Sequence, residues 1–426
     1  MLEFIKFAGL ERDSMTDTLH APVASPTPSC GSEAAVETTP TAPLELSIVM
    51  PCLNEADTIG TCVEKAMRIL REHHIAGEVV IGDNGSTDGS QEIARKLGAR
   101  VIDVPKKGYG NALMGGIAAA RGKYVLMGDA DDSYDFLETP KFLALLRKGH
   151  SLVQGCRLPW GGGTVEPGAM PFLHRWWGNP MFSIMARFMF KAPMHDVYCG
   201  MRGFTKDLYN RLDLRCTGME FATEMIIKSS LYGEDIAEVP ITLHPDGRKS
   251  HPPHLKTFRD GWRTLRFYLM YSPRWLFLMP GALAMILGIL GYMLALPAVT
   301  IRGVTFDVHT LLVSTLALLL GYQAIWFAIG AKVFAISEGL MPDDRRLLGF
   351  FRIATLERGL LAGSLSFLCG IGLVLWIAIR WAAGGWGHLD YASTMRVVIP
   401  GVALAALGFQ TILSSFFISI LGMRRR

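Results

Sequence analysis

Two aspartates, Asp129 and Asp131, stand two positions apart with the small Ala130 between them. They follow the apolar run from Lys123 to Met127, which predicts a buried parallel strand. Carboxylates at the exit of such a strand face the crevice in which open α/β sheets bind ligands. Their spacing suits two carboxylates that converge on one hard divalent cation, which would stabilise charge developing on a diphosphate leaving group. The alternative is a solvated acidic loop.

Polar residues also follow two earlier predicted strands, at 46–50 and 79–81. Strands that alternate with helices indicate a parallel sheet with right-handed crossovers, so these strand ends would meet at one edge of the sheet. Helix caps and turns are the alternative role for the same residues. The polar residues expected at this edge are Asn54, Glu55, Asp83, Ser86 and Asp88.

The composition separates the chain into two parts. It has 426 residues, of which 50% are hydrophobic, and a formal net charge of +4. Apolar runs dominate beyond about residue 270, whereas the preceding part has the pattern of a soluble α/β protein. The modest charge does not indicate a nucleic-acid partner. The seven cysteines form no CxxC pair and no metal-ligand spacing, which favours reduced, buried thiols.

The N-terminal segment is rich in Ser, Thr, Pro and Ala, which predicts a disordered tail over residues 1–43. It lacks the long apolar core and the cleavage site of a secretory signal. We therefore expect the domain that follows to lie in the cytosol.

Four apolar runs lie in the second part, at 275–299, 311–335, 360–379 and 397–421. Each is close to or longer than the roughly 20 residues that cross a membrane. Arginines concentrate between the second and third runs and at the C-terminus, so the positive-inside rule places both termini and the α/β domain in the cytosol. Arginines and aromatic residues before the first run predict an amphipathic helix on the cytosolic leaflet. We expect an integral protein of the inner or plasma membrane.

Three motifs together resemble those of the family 2 glycosyltransferases, which have a GT-A nucleotide-sugar fold. These motifs are Ser47-Ile48-Val49-Met50-Pro51 with Asn54-Glu55, Gly82-Asp83-Asn84-Gly85-Ser86-Thr87-Asp88-Gly89, and Asp129-Ala130-Asp131. Within the family, residues 45–270 are most similar to polyprenyl-phosphate sugar synthases of the dolichol-phosphate mannose or glucose synthase type. The resemblance implies an α/β GT-A domain with a Rossmann-like parallel or mixed sheet at 44–256. A juxtamembrane helix at 257–273 and an α-helical transmembrane domain of four helices at 274–426 would follow.

The same resemblance implies an enzymatic activity. One sugar would pass, with inversion, from a nucleotide sugar of the UDP-glucose or GDP-mannose type to a polyprenyl phosphate, undecaprenyl or dolichyl, on the cytosolic face. Mg²⁺ or Mn²⁺ would serve as cofactor, and Ser133 stands where relatives often carry Gln as a further metal ligand. A homo-oligomer is compatible with the sequence.

Site residues are carried over from the family motif by motif. Asp129 and Asp131 would hold the metal, and the basic loop with Arg248 and Lys249 would fold over the pyrophosphate, unless it binds lipid head groups instead. The expected donor-binding residues are Pro51, Asn54, Glu55, Asp83, Ser86, Asp88, Asp129, Ala130, Asp131, Arg248 and Lys249. The expected acceptor-binding residues are Arg157, Arg175 and Asn179, and the expected catalytic residues are Asp131, Arg157, Arg175 and Arg248.

Three further features leave alternatives open. Asp196 would contact a sugar hydroxyl or form an internal ion pair with Arg202. Glu220 and Glu224 lie one turn apart on a predicted helix, a pattern that by itself favours a solvated helix face. The two tryptophans at 176–177, among cations, suit a membrane interface or an ordinary amphipathic helix packed on the sheet.

Two other functions compete with the single-sugar transferase. A processive polysaccharide synthase has a similar domain, but its usual Gln-x-x-Arg-Trp signature is missing because Pro273-Arg274-Trp275 lacks the Gln. A flippase-like or scaffold protein with an inactive transferase domain would be favoured by broken acidic strand ends, and these are intact.

Overall fold

The computed structural model describes residues 43–249 and 257–422. The predicted tail up to residue 42, the segment at 250–256 and the C-terminal arginines at 424–426 lie outside the described residues. The described residues divide into an α/β part before residue 250 and a helical part after residue 256.

Within the described residues, seven strands form one mixed sheet. The strands, in chain order and including four short ones outside this sheet, are β1 (Leu46–Cys52), β2 (Gly77–Asp83), β3 (Arg100–Asp103), β4 (Tyr124–Met127), β5 (Leu152–Cys156), β6 (Thr164–Val165), β7 (Arg202–Thr205), β8 (Ile236–Pro240), β9 (Thr242–Leu243), β10 (Thr300–Ile301) and β11 (Val304–Thr305). The sheet order is β3-β2-β1-β4-β7-β5-β8. Only β7 runs antiparallel to its neighbours β4 and β5 among these seven described strands.

Helices cover both faces of this sheet and continue into the second part of the chain. In chain order they are α1 (Ile59–Glu72), α2 (Ser90–Lys96), α3 (Tyr109–Ala119), α4 (Thr139–Arg147), α5 (Asn179–Phe190), α6 (Lys206–Leu212), α7 (Glu220–Tyr232), α8 (Thr257–Met270), α9 (Met279–Ala295), α10 (Val308–Ser337), α11 (Arg345–Ile353), α12 (Leu356–Ala383) and α13 (Tyr391–Leu421). A 3₁₀ turn at Phe136–Glu138 precedes α4, another lies at Pro159–Gly161, and π-helical turns at His174–Gly178 and Arg274–Leu278 precede α5 and α9.

The α/β part is a three-layer sandwich because successive strand residues point to opposite faces. On β1, Ile48 and Met50 pack in the core formed with α1 and α4, whereas Val49 packs in the core formed with α3, α5 and α7. Burial on both faces explains the nearly continuous apolar runs of the central strands. The predicted order of strands and helices, and hence the GT-A-type α/β architecture, is confirmed.

Two segments differ from the strand predictions. The expected strand at 236–243 is divided: β8 ends at Pro240, and β9 pairs with β6 instead of continuing in the main sheet. Proline has no backbone N–H to donate to a ladder, so it favours a break at this point. The other difference is β7, for which no strand was predicted and which is inserted between β4 and β5.

Within the described residues, four helical segments are long and apolar enough to cross a membrane: Arg274–Ala295, Val308–Ser337, Leu356–Ala383 and Tyr391–Leu421. The second, third and fourth of these segments contain the apolar runs predicted at 311–335, 360–379 and 397–421. Glycine allows their backbones to approach closely. A Cβ added to Gly370 would lie 2.4 Å from the backbone N of Ala405, and one added to Gly321 would lie 2.7 Å from the carbonyl O of Gly281. Close glycine packing therefore joins α9 to α10, and α12 to α13.

Two shorter helices lie outside the membrane-spanning segments. The predicted amphipathic helix is present as α8, with Phe258 and Trp262 exposed. The helix α11 was not predicted. It begins after Asp344, whose side chain accepts a hydrogen bond from the backbone N of Arg346 and forms an ion pair with Lys332 of α10. These contacts tie the connection after α10 to the end of that helix.

Candidate active site

Asp129 is held at the exit of β4 by residues that are distant in sequence. Its Oδ1 accepts a hydrogen bond of 2.8 Å from the hydroxyl of Tyr109, the first residue of α3. Its Oδ2 lies against Gly200, where an added Cβ would be only 2.6 Å away. Burial and the nearby charge of Asp131 raise the pKa of Asp129 to about 6. The position therefore favours a cation between the two carboxylates.

Asp131 faces two kinds of hydrogen-bond donor. Its Oδ1 accepts bonds from the backbone N of Ser133 at 3.1 Å and from the Ser133 hydroxyl at 2.6 Å. Its Oδ2 lies 3.3 Å from Nη1 of Arg248. The Ser133 hydroxyl thus orients Asp131. The following loop is fixed separately, because Asp132 forms an ion pair with Lys65 at 2.8 Å.

Arg248 lies among three carboxylates at the same edge of the sheet. Its guanidinium makes a bidentate contact with Glu55, at 2.6 and 2.7 Å, and contacts Asp246 at 2.8 Å. Although burial opposes it, the hydrogen bond to Glu55 and the charge of Asp131 raise the pKa of Arg248, so the side chain stays cationic. The backbone N of Lys249 donates to Asp57 at 3.0 Å. The fold thereby brings Glu55, Asp131 and Arg248 together.

The polar residues after β1 and β2 form a second, adjacent cluster. Asp83 accepts hydrogen bonds from the backbone N of Ser86 at 3.0 Å and from the Ser86 hydroxyl at 2.5 Å. The hydroxyl of Ser86 in turn accepts from the backbone N of Asn54 at 2.9 Å. Asp88 accepts from the backbone N of Ala56 at 2.9 Å. These side chains therefore do shape turns, and they do so beside the carboxylates at the end of β4.

Arg157 is nearly buried after β5, and its partner was not foreseen. Its Nε and Nη2 bind the two oxygens of Asp196 at 2.7 and 2.9 Å. Its Nη1 donates to the Tyr134 hydroxyl at 3.3 Å. The alternative pairing of Asp196 with Arg202 is wrong, because Arg202 is fully buried and donates instead to backbone carbonyl groups of Ala222 and Cys199.

Arg175 and Asn179 lie in and just after the π-helical turn that precedes α5. The guanidinium carbon of Arg175 is 5.4 Å from the ring centre of Trp176. Asn179 Nδ2 lies 3.3 Å from the sulfur of Met170. Burial and the charge of Arg157 lower the pKa of His174 in the same turn. Arg157, after β5, and Arg175, in this turn, are the two arginines expected to bind the acceptor phosphate.

The donor set fits a hard divalent cation. Asp129 and Asp131 supply carboxylate oxygens, the ligands that Mg²⁺ and Mn²⁺ prefer. The elevated pKa of Asp129 shows that an added positive charge would relieve an unfavourable interaction. Within residues 43–249 and 257–422, no group of three or more His, Cys, Asp and Glu side chains has metal-binding geometry.

Sequence reasoning missed three contributors to this site: Tyr109, Tyr134 and Gly200. Tyr109 and Gly200 touch Asp129, and Tyr134 accepts hydrogen bonds from Arg157 and from the backbone N of Gly200. The Gly108-Tyr109-Gly110 sequence at a helix start was the one available signal, since glycines mark close backbone approach. Nothing in it indicates the direction of the tyrosine hydroxyl.

Comparison with known proteins relates both parts of the chain to one family. The model of glycosyl transferase family 2 matches residues 47–213, and the model of the glycosyltransferase family 2 C-terminal transmembrane region matches residues 329–422. The low-salt glycan biosynthesis hexosyltransferase Agl6 of Haloferax volcanii is 38% identical over 88% of this chain and 89% of its own length. The dolichyl-phosphate hexose transferase of the same organism is 37% identical over 46% of this chain and 82% of its own length.

Among solved structures, a similar one is glucosyl-3-phosphoglycerate synthase from Mycobacterium tuberculosis with Mn²⁺, uridine diphosphate and phosphoglyceric acid. It is 22% identical, with a TM-score of 0.41, and the match covers 53% of this chain and 78% of that chain.

The fold, the sequence relatives and the apolar helices define an integral membrane glycosyltransferase. The chain belongs to glycosyltransferase family 2, in which inversion at the anomeric carbon is typical.

Proposed function

We propose that this enzyme transfers a single hexose from a nucleotide sugar to a polyprenyl phosphate on the cytosolic side of the membrane. The observation that carries the proposal is the pair of carboxylates, Asp129 and Asp131, at the sheet edge of a domain that also touches a membrane helix. The ring of Phe188, on α5, lies 4.5 Å from that of Trp275 at the start of the first membrane-spanning segment. Both relatives are named as transferring a hexose, and the name of one of them, a dolichyl-phosphate hexose transferase, supports a lipid phosphate as the acceptor.

In this proposal the residues divide between donor and acceptor. Pro51, Glu55 and Asp83 would contact the nucleoside, with Asn54, Ser86 and Asp88 shaping that end of the site. Asp129 and Asp131 would hold Mg²⁺ or Mn²⁺ against the diphosphate. Arg157, Arg175 and Asn179 would receive the acceptor phosphate, and exposed Trp177 suits the membrane interface at which that phosphate lies.

The chemistry needs no strong general base, because a phosphate monoester oxygen is already anionic near pH 7. That oxygen would attack the anomeric carbon while the bond from this carbon to the nucleoside diphosphate oxygen breaks. A bound divalent metal would neutralise charge on the departing diphosphate. The arginines would orient the acceptor oxygen, and positioning with charge stabilisation would supply the rate.

Arg248 would exchange partners during this cycle. In the structure its guanidinium contacts Glu55, Asp131 and Asp246. A diphosphate offers the same planar guanidinium a stronger anionic partner. Arg248→Gln is therefore expected to weaken binding of the free nucleoside diphosphate about tenfold or more, measured by calorimetric titration. Unchanged nucleotide binding with reduced vesicle affinity would instead favour lipid head groups as the target of this loop.

The test of the function is mass spectrometry of the lipid product. Membranes containing the enzyme are incubated with UDP-glucose or GDP-mannose and with polyprenyl phosphate or the corresponding polyprenol. One hexose on the phosphate, and none on the alcohol, is expected. A ladder of sugars would contradict single transfer and favour a processive synthase. Equal labelling of the alcohol would contradict the phosphate acceptor.

A further inference from the structure

A buried ion pair lies outside the candidate active site. Glu224 and Lys228, one turn apart on α7, have fully buried side chains, and Nζ lies 3.0 Å from Oε1. This corrects the expectation of a solvated helix face for Glu224. Removing two charges from water is costly unless hydrogen bonds satisfy both groups. Further hydrogen bonds from the surrounding chain are therefore needed to stabilise both charges.

The ion pair clamps the chain between α6 and α7. Lys228 donates to the carbonyl O of Leu212 at 2.9 Å and of Asp213 at 2.7 Å. Glu224 Oε2 accepts from the backbone N of Arg215 at 2.9 Å and of Cys216 at 2.8 Å. The turn at 212–216 is thus fixed by charge-assisted bonds from one helix.

The turn and the ion pair that fixes it each make a contact with the second part of the chain. The hydroxyl of Tyr271, which follows α8, donates to Glu224 Oε1 at 3.0 Å. Nη2 of Arg215 donates to the carbonyl O of Glu338 at the end of α10, at 3.2 Å. We call the set Arg215, Glu224, Lys228 and Tyr271 the joint. It links the juxtamembrane helix and the second membrane-spanning helix to one turn of the α/β part.

The other side of this turn supports the metal-binding end of the sheet. A Cβ added to Gly110 would lie 2.5 Å from the carbonyl O of Cys216, so α3 begins in direct contact with the turn. The backbone N of Asn111 donates to the carbonyl O of Thr217 at 3.2 Å. Tyr109 immediately precedes Gly110, and its hydroxyl binds Asp129. The contacts are continuous from Tyr271 to Asp129.

We propose that the joint is a positioning device that sets the place of the carboxylate pair relative to the membrane surface, so that an acceptor phosphate anchored in the bilayer reaches it. The inference rests on the proposed lipid acceptor. The residues of the joint touch no substrate and act through the start of α3. Loss of the joint should therefore impair reaction with an acceptor fixed in a bilayer and spare reaction with an acceptor that diffuses freely.

The test compares two acceptors with one mild variant. Tyr271→Phe removes a single hydrogen bond to a charged group and retains the ring, which lies 4.6 Å from that of Phe267. In proteoliposomes with long-chain polyprenyl phosphate, kcat/KM should fall about tenfold. With a water-soluble short-chain isoprenyl phosphate in the same vesicles, kcat/KM should not change. An equal loss with both acceptors, or no loss with either, would overturn the proposal.

Tyr268→Phe is the matched control. Its ring is fully buried, and its hydroxyl has no hydrogen-bond partner within the described part of the chain. This variant should behave as wild type with both acceptors. Arg215→Ala, at a largely exposed side chain, removes the contact with Glu338 and should reproduce the selective loss without affecting folding.

A second measurement does not depend on any acceptor and so separates the joint from the proposed function. In Tyr271→Phe, amide hydrogen exchange at residues 215–216, whose backbone N–H groups donate to Glu224, should become about tenfold faster, because Glu224 loses one of the contacts that fix it. The rates in Tyr268→Phe should match wild type. Unchanged exchange rates in Tyr271→Phe would contradict the positioning role of the joint, even if sugar transfer to the lipid is found. If the wild-type enzyme uses neither acceptor while exchange is faster in the variant, the proposed transfer to polyprenyl phosphate is contradicted and the positioning role of the joint is not.

Discussion

At the scale of single residues, the orientation of the carboxylate pair depends on the residues that contact Asp129 and Asp131. One oxygen is bound by the Tyr109 hydroxyl and the other lies over Gly200, so the side chain has little freedom to turn. Asp131 is oriented by Ser133 and faces Arg248. Groups that orient metal ligands affect metal affinity strongly even when they do not touch the ion.

Tyr109→Phe tests this control of Asp129. The change removes one hydroxyl and keeps the ring, so the fold should be retained while Asp129 becomes free to rotate. We expect affinity for Mn²⁺, measured by titration with the preferred nucleoside diphosphate present, to fall about tenfold. Tyr209→Phe makes the same chemical change on α6, away from the carboxylates, and should leave the affinity unchanged. An unaltered Mn²⁺ affinity in Tyr109→Phe would show that the hydroxyl does not position Asp129.

Asp131→Asn tests the need for a metal. The amide has nearly the same shape but no charge, so transfer should fall by roughly a hundredfold or more, whereas the melting temperature should not decrease. Asp132→Asn is the matched control, because Asp132 pairs with Lys65 and not with the candidate metal ligands. Full wild-type activity in the presence of a chelator would refute the metal assignment.

At the scale of elements, the buried strands β1, β2 and β4 could be predicted because burial on both faces produces apolar runs. The strand β7 could not, because it begins with Arg202, a fully buried cation that donates to the carbonyl groups of Cys199, just before the strand, and of Ala222 on α7. The helix α11 is short and rich in arginine, so its sequence is equally typical of a charged loop. In each case tertiary contacts, and not the local pattern, determine the element.

For the candidate site, the backbone positions could be predicted from the sequence, whereas the side-chain partners could not. Strand ends fix backbone positions, so the placement of Asp129, Asp131 and Glu55 at one edge followed from the alternation of strands and helices. Side-chain partners did not follow. Arg157 pairs with Asp196 across 39 positions of sequence, and Glu224 is buried because Lys228 and Tyr271 pack against it. Such pairings depend on packing geometry that sequence spacing does not contain.

Glu78 ties three elements together and gives a prediction for pH. It accepts hydrogen bonds from Ser47 of β1 and Arg100 of β3 and from the backbone N of Arg121. Although burial opposes it, these contacts lower the pKa of Glu78 below its ordinary value of 4.5. The pKa of Glu78 is lower in the folded than in the unfolded protein. Its contribution to stability is therefore fully present above the unfolded-state pKa and is lost as the pH falls through the folded-state pKa.

Glu78→Gln should therefore reduce the free energy of unfolding by about 2 kcal/mol at neutral pH. The difference from wild type should shrink as the pH is lowered below 4.5. Denaturant unfolding of the detergent-solubilised protein across this range measures both effects. Glu72→Gln, at an exposed residue 3.8 Å from Arg68, is the control and should be nearly neutral. If the loss of unfolding free energy in Glu78→Gln does not vary with pH, the lowered pKa of Glu78 is contradicted.

At the scale of the whole molecule, one side of the α/β part is suited to the membrane interface. Exposed apolar side chains on and before α5 include Phe172, Trp177 and Ile184, and α8 adds Phe258 and Trp262. Exposed aromatic groups of this kind are favoured at the boundary between head groups and hydrocarbon. This surface and the membrane-spanning segments would together hold the candidate active site at the bilayer.

The proposed orientation can be measured directly. Val304, in the short turn between α9 and α10, should face away from the cytosol, whereas Leu348 on α11 should face it. In intact cells, an impermeant thiol reagent should label Val304→Cys above the wild-type background. It should label Leu348→Cys only after permeabilisation. The reverse pattern would place the α/β part on the opposite side of the membrane.

The close glycine contacts occur within two pairs of helices, α9 with α10 and α12 with α13, that are consecutive in the chain. During synthesis, the first pair can therefore close before the ribosome has made the third membrane helix. The second pair can then close without rearranging the first. The hydrogen bond between Tyr322 and Thr411 joins the two pairs and would form last. We therefore expect the membrane helices to assemble in the order in which their close-packing glycines occur along the chain.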